Sequence, residues 1–139
     1  PSLNLRLRPR LLELKPGTRI VSNAFSMDEW QPDYKATTGE GDSSWNAALV
    51  WIVPAKAEGT WRLGDGELII RQEFQKIYGI YRADNKTTNL TDGKLYGDSI
   101  TFGINGDNYA GYVLGQKRME GVVTSGAATR EWVAARAGF

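Results

Sequence analysis

The residues best suited to chemistry in this sequence are aromatic and basic side chains near both ends of its glycine-rich region. Gly59-Thr60-Trp61 opens that region, and Trp132 and Arg136 lie close to its end. In a closed β-barrel the first and last strands are neighbours, so an arginine on one can stack over a tryptophan on the other. We expect Trp61 and Arg136 to plug one end of such a barrel. Further candidates for plug or ligand-contacting residues are Trp132, Tyr78 and Tyr81.

Most other kinds of catalytic site are excluded by composition. The 139 residues contain no Cys and no His, which rules out Ser–His or Cys nucleophiles, zinc sites built on these residues, and disulfides. Asp92, Asp98 and Asp107 have the residue type for a calcium site or a glycosidase pair, but they lie at turn signals, where Asp is common. Gly64-Asp65-Gly66 lacks the following Lys-Ser/Thr of a phosphate loop. We therefore assign no catalytic, cofactor-binding or metal-binding residue.

The charges are nearly balanced, with 17 Lys and Arg against 16 Asp and Glu. Residues 1–19 carry five basic groups and Glu13, a net of +4, so the remaining 12 basic and 15 acidic groups give −3. This balance provides no general field for nucleic acid or for an acidic membrane surface. No apolar run approaches the ~20 residues of a membrane span. We expect neither a nucleic-acid nor a membrane partner, and the compartment stays open.

The first 54 residues have the pattern of an α/β unit. Pro9 suits the first turn of a helix at about 8–14, and Pro16-Gly17 would end that helix. A strand is predicted at 18–22, followed by a loop over 23–46 that is rich in turn-forming residues. The apolar run 47–53 predicts a second, buried strand. A helix, a Pro-Gly turn and a hydrophobic strand in this order belong to an α/β sheet.

From residue 55 to 139 the pattern is mainly β, with about eight short antiparallel strands. The predicted strands are 59–63, 67–75, 76–83, 86–91, 93–104 (bent or broken near Gly97-Asp98), 108–114, 118–124 and 130–136. Asn105-Gly106 is the strongest hairpin signal among the turns. Evenly spaced strands without intervening helices indicate a meander, closed as a small barrel or folded as a sandwich. Closure is favoured because it removes exposed strand edges.

The Gly59-x-Trp61 motif with the late Arg136 resembles the arrangement in lipocalin-like and avidin-like barrels. Those families bind small apolar molecules inside the barrel, so the resemblance implies a small-molecule partner. The candidate walls would be Trp45, Trp51, Trp61, Tyr78, Tyr81, Tyr109, Tyr112 and Trp132. The many glycines and short strands favour a small, filled interior, in which Trp61 is a core plug.

A second resemblance covers residues 1–33. The stretch Leu11-Leu-Glu-Leu-Lys-Pro-Gly-Thr-Arg-Ile-Val-Ser22, followed by Asp28-Glu-Trp30 and Pro32-Asp33, resembles the later part of bacterial class I S-adenosylmethionine-dependent methyltransferases. Val50–Pro54 resembles the next strand of that subgroup, and the chain from about 58 resembles its extra C-terminal β-domain. The resemblance implies a remnant of the methyltransferase α/β core at 1–54 and a β-barrel domain at 55–139.

The family builds its cofactor site in the first half of its sheet, with an acidic-Gly-x-Gly-x-Gly turn and a second acidic residue. Neither is present in these 139 residues. We therefore expect a C-terminal fragment, from the bacterial cytoplasm or periplasm, that binds no S-adenosylmethionine and is not catalytic alone. Two alternatives stay open: a non-enzymatic ligand-binding barrel, and a fragment that acts by assembling with another protein. The strand Thr18–Ser22 would lack its usual neighbours, so we also expect self-association through its edge.

Overall fold

The computed structural model describes residues 2–23, 27–37 and 47–137 and shows a mainly β chain with one short helix. The elements are α1 Ser2–Leu12, β1 Arg19–Asn23, β2 Tyr34–Thr37, β3 Ala47–Ile52, β4 Gly59–Leu63, β5 Gly66–Glu73, β6 Lys76–Ala83, β7 Lys86–Asn89, β8 Thr91–Tyr96, β9 Ser99–Ile104, β10 Asp107–Leu114, β11 Arg118–Ser125 and β12 Ala128–Arg136. No helix in the described part of the chain has the length and apolar character needed to cross a membrane.

Eight strands form a closed antiparallel barrel, which confirms the predicted fold class. Their order around the barrel is β4, β5, β6, β8, β9, β10, β11 and β12. The ring closes where β12 pairs with β4, in a register that places Arg136 opposite Trp61 and Ala134 opposite Leu63. Every strand of the ring has a neighbour on both sides, although β12 pairs with β4 over three residues and β6 pairs with β8 at a single residue pair. The remaining strand, β7, extends from β6 outside the ring.

The long strand predicted at 93–104 is divided by a tight turn. β8 ends at Tyr96 and β9 begins at Ser99, with Gly97 and Asp98 between them. Gly97 has a left-handed backbone (φ 61°), and a Cβ added there would lie 3.2 Å from the Cα of Gly17. Glycine is needed at this turn for both its φ angle and its small size. The break therefore lies where the barrel backbone approaches the N-terminal segment.

The barrel interior is a single apolar cluster. Along β5, Leu68 and Ile70 are buried while Arg71 is exposed, which is the period of two expected when one face of a strand lines a core. The buried members are Ala55, Ala57, Trp61, Leu63, Leu68, Ile70, Ile77, Leu95, Ile100, Phe102, Ile104, Val113, Met119, Val123, Trp132 and Ala134. Both strand length and alternation are local properties, so the sequence predicts most barrel strands to within two residues.

Residues 2–52 contain a second, smaller unit, which we call the head. Its sheet has the order β1-β3-β2, and both outer strands pair antiparallel with β3, so β1 and β2 run parallel to each other. Leu11 and Leu12 of α1 pack against a buried cluster that includes Trp51 of β3. The helix thus covers one face of a three-stranded sheet in which both neighbouring pairs are antiparallel.

Two local predictions for the head are wrong. The helix spans Ser2–Leu12 and not 8–14, so Pro9 lies inside it and not in its first turn. The Leu and Arg residues before Pro9 are good helix formers, and the helix continues through Pro9 although an interior proline removes a hydrogen bond and crowds the carbonyl four residues earlier. The predicted loop over 23–46 contains β2, a strand of only four residues. β2 gains its stability by pairing with β3, which is a contact that local turn signals do not reveal.

Candidate functional site

The structure brings Trp61 and Arg136 together at the end of the barrel nearest the head. The Trp61 side chain is fully buried, and its indole N–H donates a hydrogen bond to the Ala57 carbonyl at 2.9 Å. The guanidinium carbon of Arg136 lies 4.3 Å from the centre of the Trp61 ring. This distance is well inside the range of a cation–π contact. The pair covers the interior at this end and leaves the Trp61 ring no exposed face for a ligand.

Arg136 also holds two separate segments through three of their backbone carbonyls. Its Nε donates to the Gln116 carbonyl at 2.5 Å, and its terminal nitrogens donate to the carbonyls of Glu58 (2.6 Å) and Lys56 (3.1 Å). Burial lowers the pKa of Arg136 below its ordinary value. No carboxylate among the described residues lies within 4 Å of its nitrogens. The arginine therefore has a structural role, because it fastens the chain entering the barrel to the β10–β11 turn.

The opposite end of the barrel is closed by an aromatic group that contains Trp132. Phe102 and Tyr109 are stacked with ring centres 5.0 Å apart, and Trp132 meets each of them edge-on at 5.6 Å. The indole N–H of Trp132 donates to the Ala110 carbonyl at 3.2 Å. The three rings pack against one another, and the indole N–H of Trp132, its one polar group, is hydrogen-bonded within the sheet.

The two tyrosines singled out in the sequence have different positions. Tyr81 packs against the barrel core and its hydroxyl donates to the Leu63 carbonyl at 3.0 Å; burial, and secondarily Tyr109, raise its pKa. Tyr78 is 50% exposed on the outer surface of β6, so it neither plugs the barrel nor lines its interior. Its position follows from the alternation of β6, since its chain neighbour Ile77 faces the core.

The other proposed wall residues do not form an internal ligand site. Tyr112 is 56% exposed on the outside of β10, and Trp51 belongs to the core of the head. Trp45 lies outside the described residues. The interior is occupied by buried side chains at both ends and along its length. The geometry favours a filled barrel over a hollow one.

The acidic residues singled out in the sequence are dispersed in the described part of the chain. Within them there is no group of three His, Cys, Asp or Glu residues that could hold a metal ion. Asp92, Asp98 and Asp107 lie at strand ends or in turns, and Asp92 has the left-handed backbone (φ 49°) that Asp tolerates in turns.

The joint between head and barrel is the main feature that sequence patterns missed. Phe74, at the tip of the β5–β6 hairpin, stacks on Trp30 of the head with ring centres 5.9 Å apart and planes inclined by 9°. The Arg8 guanidinium lies over the Phe74 ring at 5.1 Å and forms an ion pair with Glu29 at 2.9 Å. A barrel residue therefore completes the core of the head. The predicted strands 67–75 and 76–83 left no turn between them, so the sequence prediction placed Phe74 inside a strand and gave no signal for this contact.

Polar contacts support the same joint. The buried Gln75 donates to the Gln31 carbonyl at 2.6 Å, and Lys56 pairs with Glu13 at 2.6 Å. An open groove of about 760 Å³ runs along this seam. Its lining residues include Pro9, Leu12, Pro54, Phe74, Gln116 and Arg136. This groove thus lies between the two units and outside the barrel.

Asp33 is the one described carboxylate whose pKa is raised. One of its oxygens accepts a hydrogen bond from the Ile52 amide at 2.6 Å, and the other is buried without a partner among the described residues. Burial is the main cause of the raised pKa, and the Ile52 hydrogen bond and Lys94 act in the opposite direction. The side chain anchors the start of β2 to β3, and its second oxygen is buried away from the surface.

Comparison of the chain with protein-family models, with curated proteins and with solved structures found no match.

Proposed function

We propose that this chain serves as a segment of a bacterial class I S-adenosylmethionine-dependent methyltransferase, with the barrel as a recognition or accessory domain. The observation that carries the proposal is the build of the head. Helix α1 covers one face of a sheet in which β1 and β2 are parallel and β3 is an antiparallel strand between them. Although both hydrogen-bonded pairs in the head are antiparallel, this arrangement is compatible with the family, because the largely parallel sheets of α/β proteins also accept antiparallel strands.

The motif that resembles the family also has a clear structural role. In Leu14-Lys-Pro-Gly17 the backbone turns from α1 into β1. Gly17 has a left-handed backbone (φ 93°) and donates its amide to the Val53 carbonyl at 2.8 Å, and the Thr18 hydroxyl donates to the Lys15 carbonyl at 2.6 Å. The turn supports the assignment because it joins a helix to a sheet strand at the position the family motif requires.

The filled barrel supports a recognition role that uses its outer surface or the groove beside the head. An internal ligand would have to displace packed side chains such as Trp61 and Met119. Replacing close-packed core contacts in this way is unfavourable. We infer that the chain itself performs no methyl transfer and binds no S-adenosylmethionine, and that it associates with itself through the edge at Thr18–Ser22.

The proposal is tested by calorimetric titration of the full chain with S-adenosylmethionine, with S-adenosylhomocysteine as a matched ligand. We expect no saturable heat from either ligand. The purified chain is then used to capture partner polypeptides, and labelled S-adenosylmethionine is added to the captured complex. Binding by the complex but not by the chain supports the proposal. Saturable binding by the chain alone would overturn it, because the cofactor site would then lie within these residues.

A further inference from the structure

The outer edge of β1 is open in the described part of the chain. β3 occupies one side of β1, and no described strand pairs with the other side. Val21, at the middle of β1, is 65% exposed and is the most exposed large apolar side chain of the described residues. An edge strand with an exposed apolar centre is a template for another strand.

The backbone groups of β1 alternate in direction, and the register shows which of them face the open edge. The Val53 amide donates to the Thr18 carbonyl, and the register places these two residues opposite each other. In an antiparallel ladder hydrogen-bonded and non-bonded pairs alternate. Arg19, Val21 and Asn23 therefore occupy non-bonded positions relative to β3. Their amides and carbonyls point away from β3, towards the open edge.

The usual protections of an edge strand are weak on β1. The strand contains no proline and no lysine, whereas the other outer strands, β2 and β7, carry Lys35 and Lys86. The one charged residue, Arg19, donates to the Tyr34 hydroxyl at 2.6 Å. Tyr34 lies on β2, beyond β3, so the Arg19 side chain extends across the sheet and away from the open edge.

We propose that two copies of this chain pair antiparallel through β1, on a two-fold axis at Val21. This register places Val21 opposite its own copy and Arg19 opposite Asn23 of the second copy. Three residue pairs with two bonds each give about six new backbone hydrogen bonds. The two Arg19 residues lie four positions apart along the strands, about 13 Å at 3.3–3.4 Å per residue, which exceeds the ~10 Å screening length of 0.1 M salt. The product is one continuous sheet with the order β2-β3-β1-β1-β3-β2.

A second copy fits this edge because the interface is self-complementary. A two-fold contact must match a surface with itself. In β1 the apolar Val21 lies at the centre, so it meets its own copy, and the basic Arg19 at one end meets the neutral Asn23 at the other. This inference rests on one part of the proposed function, which is self-association through Thr18–Ser22. Cofactor binding by the chain would overturn the expectation that these residues lack the cofactor site and would leave the dimer intact, whereas a monomeric chain would overturn the self-association alone.

Sedimentation of the full chain and two matched lysine variants tests the pairing. We expect a dimer for the natural chain and for Val133→Lys, since Val133 is a similarly exposed valine (48%) on the outside of β12. Val21→Lys should weaken the dimer at least about tenfold, because it places two like charges on the axis. Circular dichroism checks that both variants remain folded. A monomer at high micromolar concentration, or a dimer unaffected by Val21→Lys, would overturn the proposal.

Cross-linking tests the register itself, because the chain has no natural cysteine. Cα atoms of a hydrogen-bonded antiparallel pair are about 5.5 Å apart, which suits a disulfide. Val21→Cys should form a disulfide-linked dimer under mild oxidation, and Val133→Cys should not. Equal or slower cross-linking of Val21→Cys than of Val133→Cys would overturn the two-fold register.

Discussion

The barrel and the head are built from similar residues but achieve their stability differently. The barrel closes on itself, and its core is supplied by its own strands together with the short segment that enters β4. The head has a three-stranded sheet with two outer edges and a small core of Met27, Trp30 and Trp51, which is completed by Phe74 from the barrel. Three strands covered by one helix are near the lower limit for a stable sheet.

This difference indicates that the head depends on the barrel for its stability, whereas the barrel does not depend on the head. Closure gives each barrel strand two neighbours, so no barrel strand relies on the head for hydrogen bonds in the ring. The head needs the β5–β6 hairpin for its aromatic packing and leaves the β1 edge available to a partner. We expect the barrel to be the more stable unit and the head to open first.

The largest expected effect comes from Trp61→Ala, which should destabilise the barrel and, through Phe74, the head as well. Removing a fully buried tryptophan costs about 3–5 kcal/mol, and the contacts with Arg136 and Ala57 are lost too. Urea unfolding followed by circular dichroism measures the change. Trp61→Phe, which keeps much of the volume, should lose less and remain folded if the alanine variant does not. An unchanged unfolding midpoint would contradict the barrel's role as the supporting unit.

A smaller effect, confined to the head, is expected from Phe74→Ala. The ring is partly buried at the joint, so its loss should cost about 2 kcal/mol, below the range for a fully buried phenylalanine. Amide hydrogen exchange should show faster exchange in β1 and β3, with little change in β9–β12. Tyr78→Ala, which removes an exposed ring from the same hairpin, is the matched control and should leave both regions unaffected. Equal loss of protection in both units would contradict the one-sided dependence.

The smallest expected effect is a pH dependence of the stability of the head. Burial raises the pKa of Asp33 in the folded head above the unfolded value, so the folded state binds more protons as the pH falls. The contribution of Asp33 to the stability of the head is fully present below the pKa of the unfolded state, about 3.9. It is lost as the pH rises through the pKa of the folded state. Head unfolding measured from neutral to mildly acidic pH should show this gain on acidification, and Asp33→Asn should remove it. Asp65→Asn, in the exposed β4–β5 turn, should retain it; an unchanged pH profile in Asp33→Asn would contradict the assignment.

The barrel was largely predictable because its signals are local. The strands at 59–63 and 76–83 have the predicted bounds, and Asn105 and Gly106 form the predicted hairpin turn, each with positive φ. The head was less predictable, because β2 is defined by its pairing with β3 and the helix continues through Pro9. The aromatic residues illustrate the same limit: a tyrosine pattern shows that a strand exists, but not which tyrosine faces inward.

The sequence by itself determined the mainly β class and the placing of a helix and a strand before the barrel, because turn residues and alternation act over a few neighbouring positions. The eight predicted barrel strands included β7, which lies outside the ring, and joined β8 and β9 into one strand. Only the tertiary structure decided that the interior is filled, that Tyr78 faces solvent, that Phe74 belongs to the core of the head and that β1 keeps an open edge. These features depend on contacts between residues far apart in the chain. Their energies come from packing and pairing partners, which no local pattern specifies.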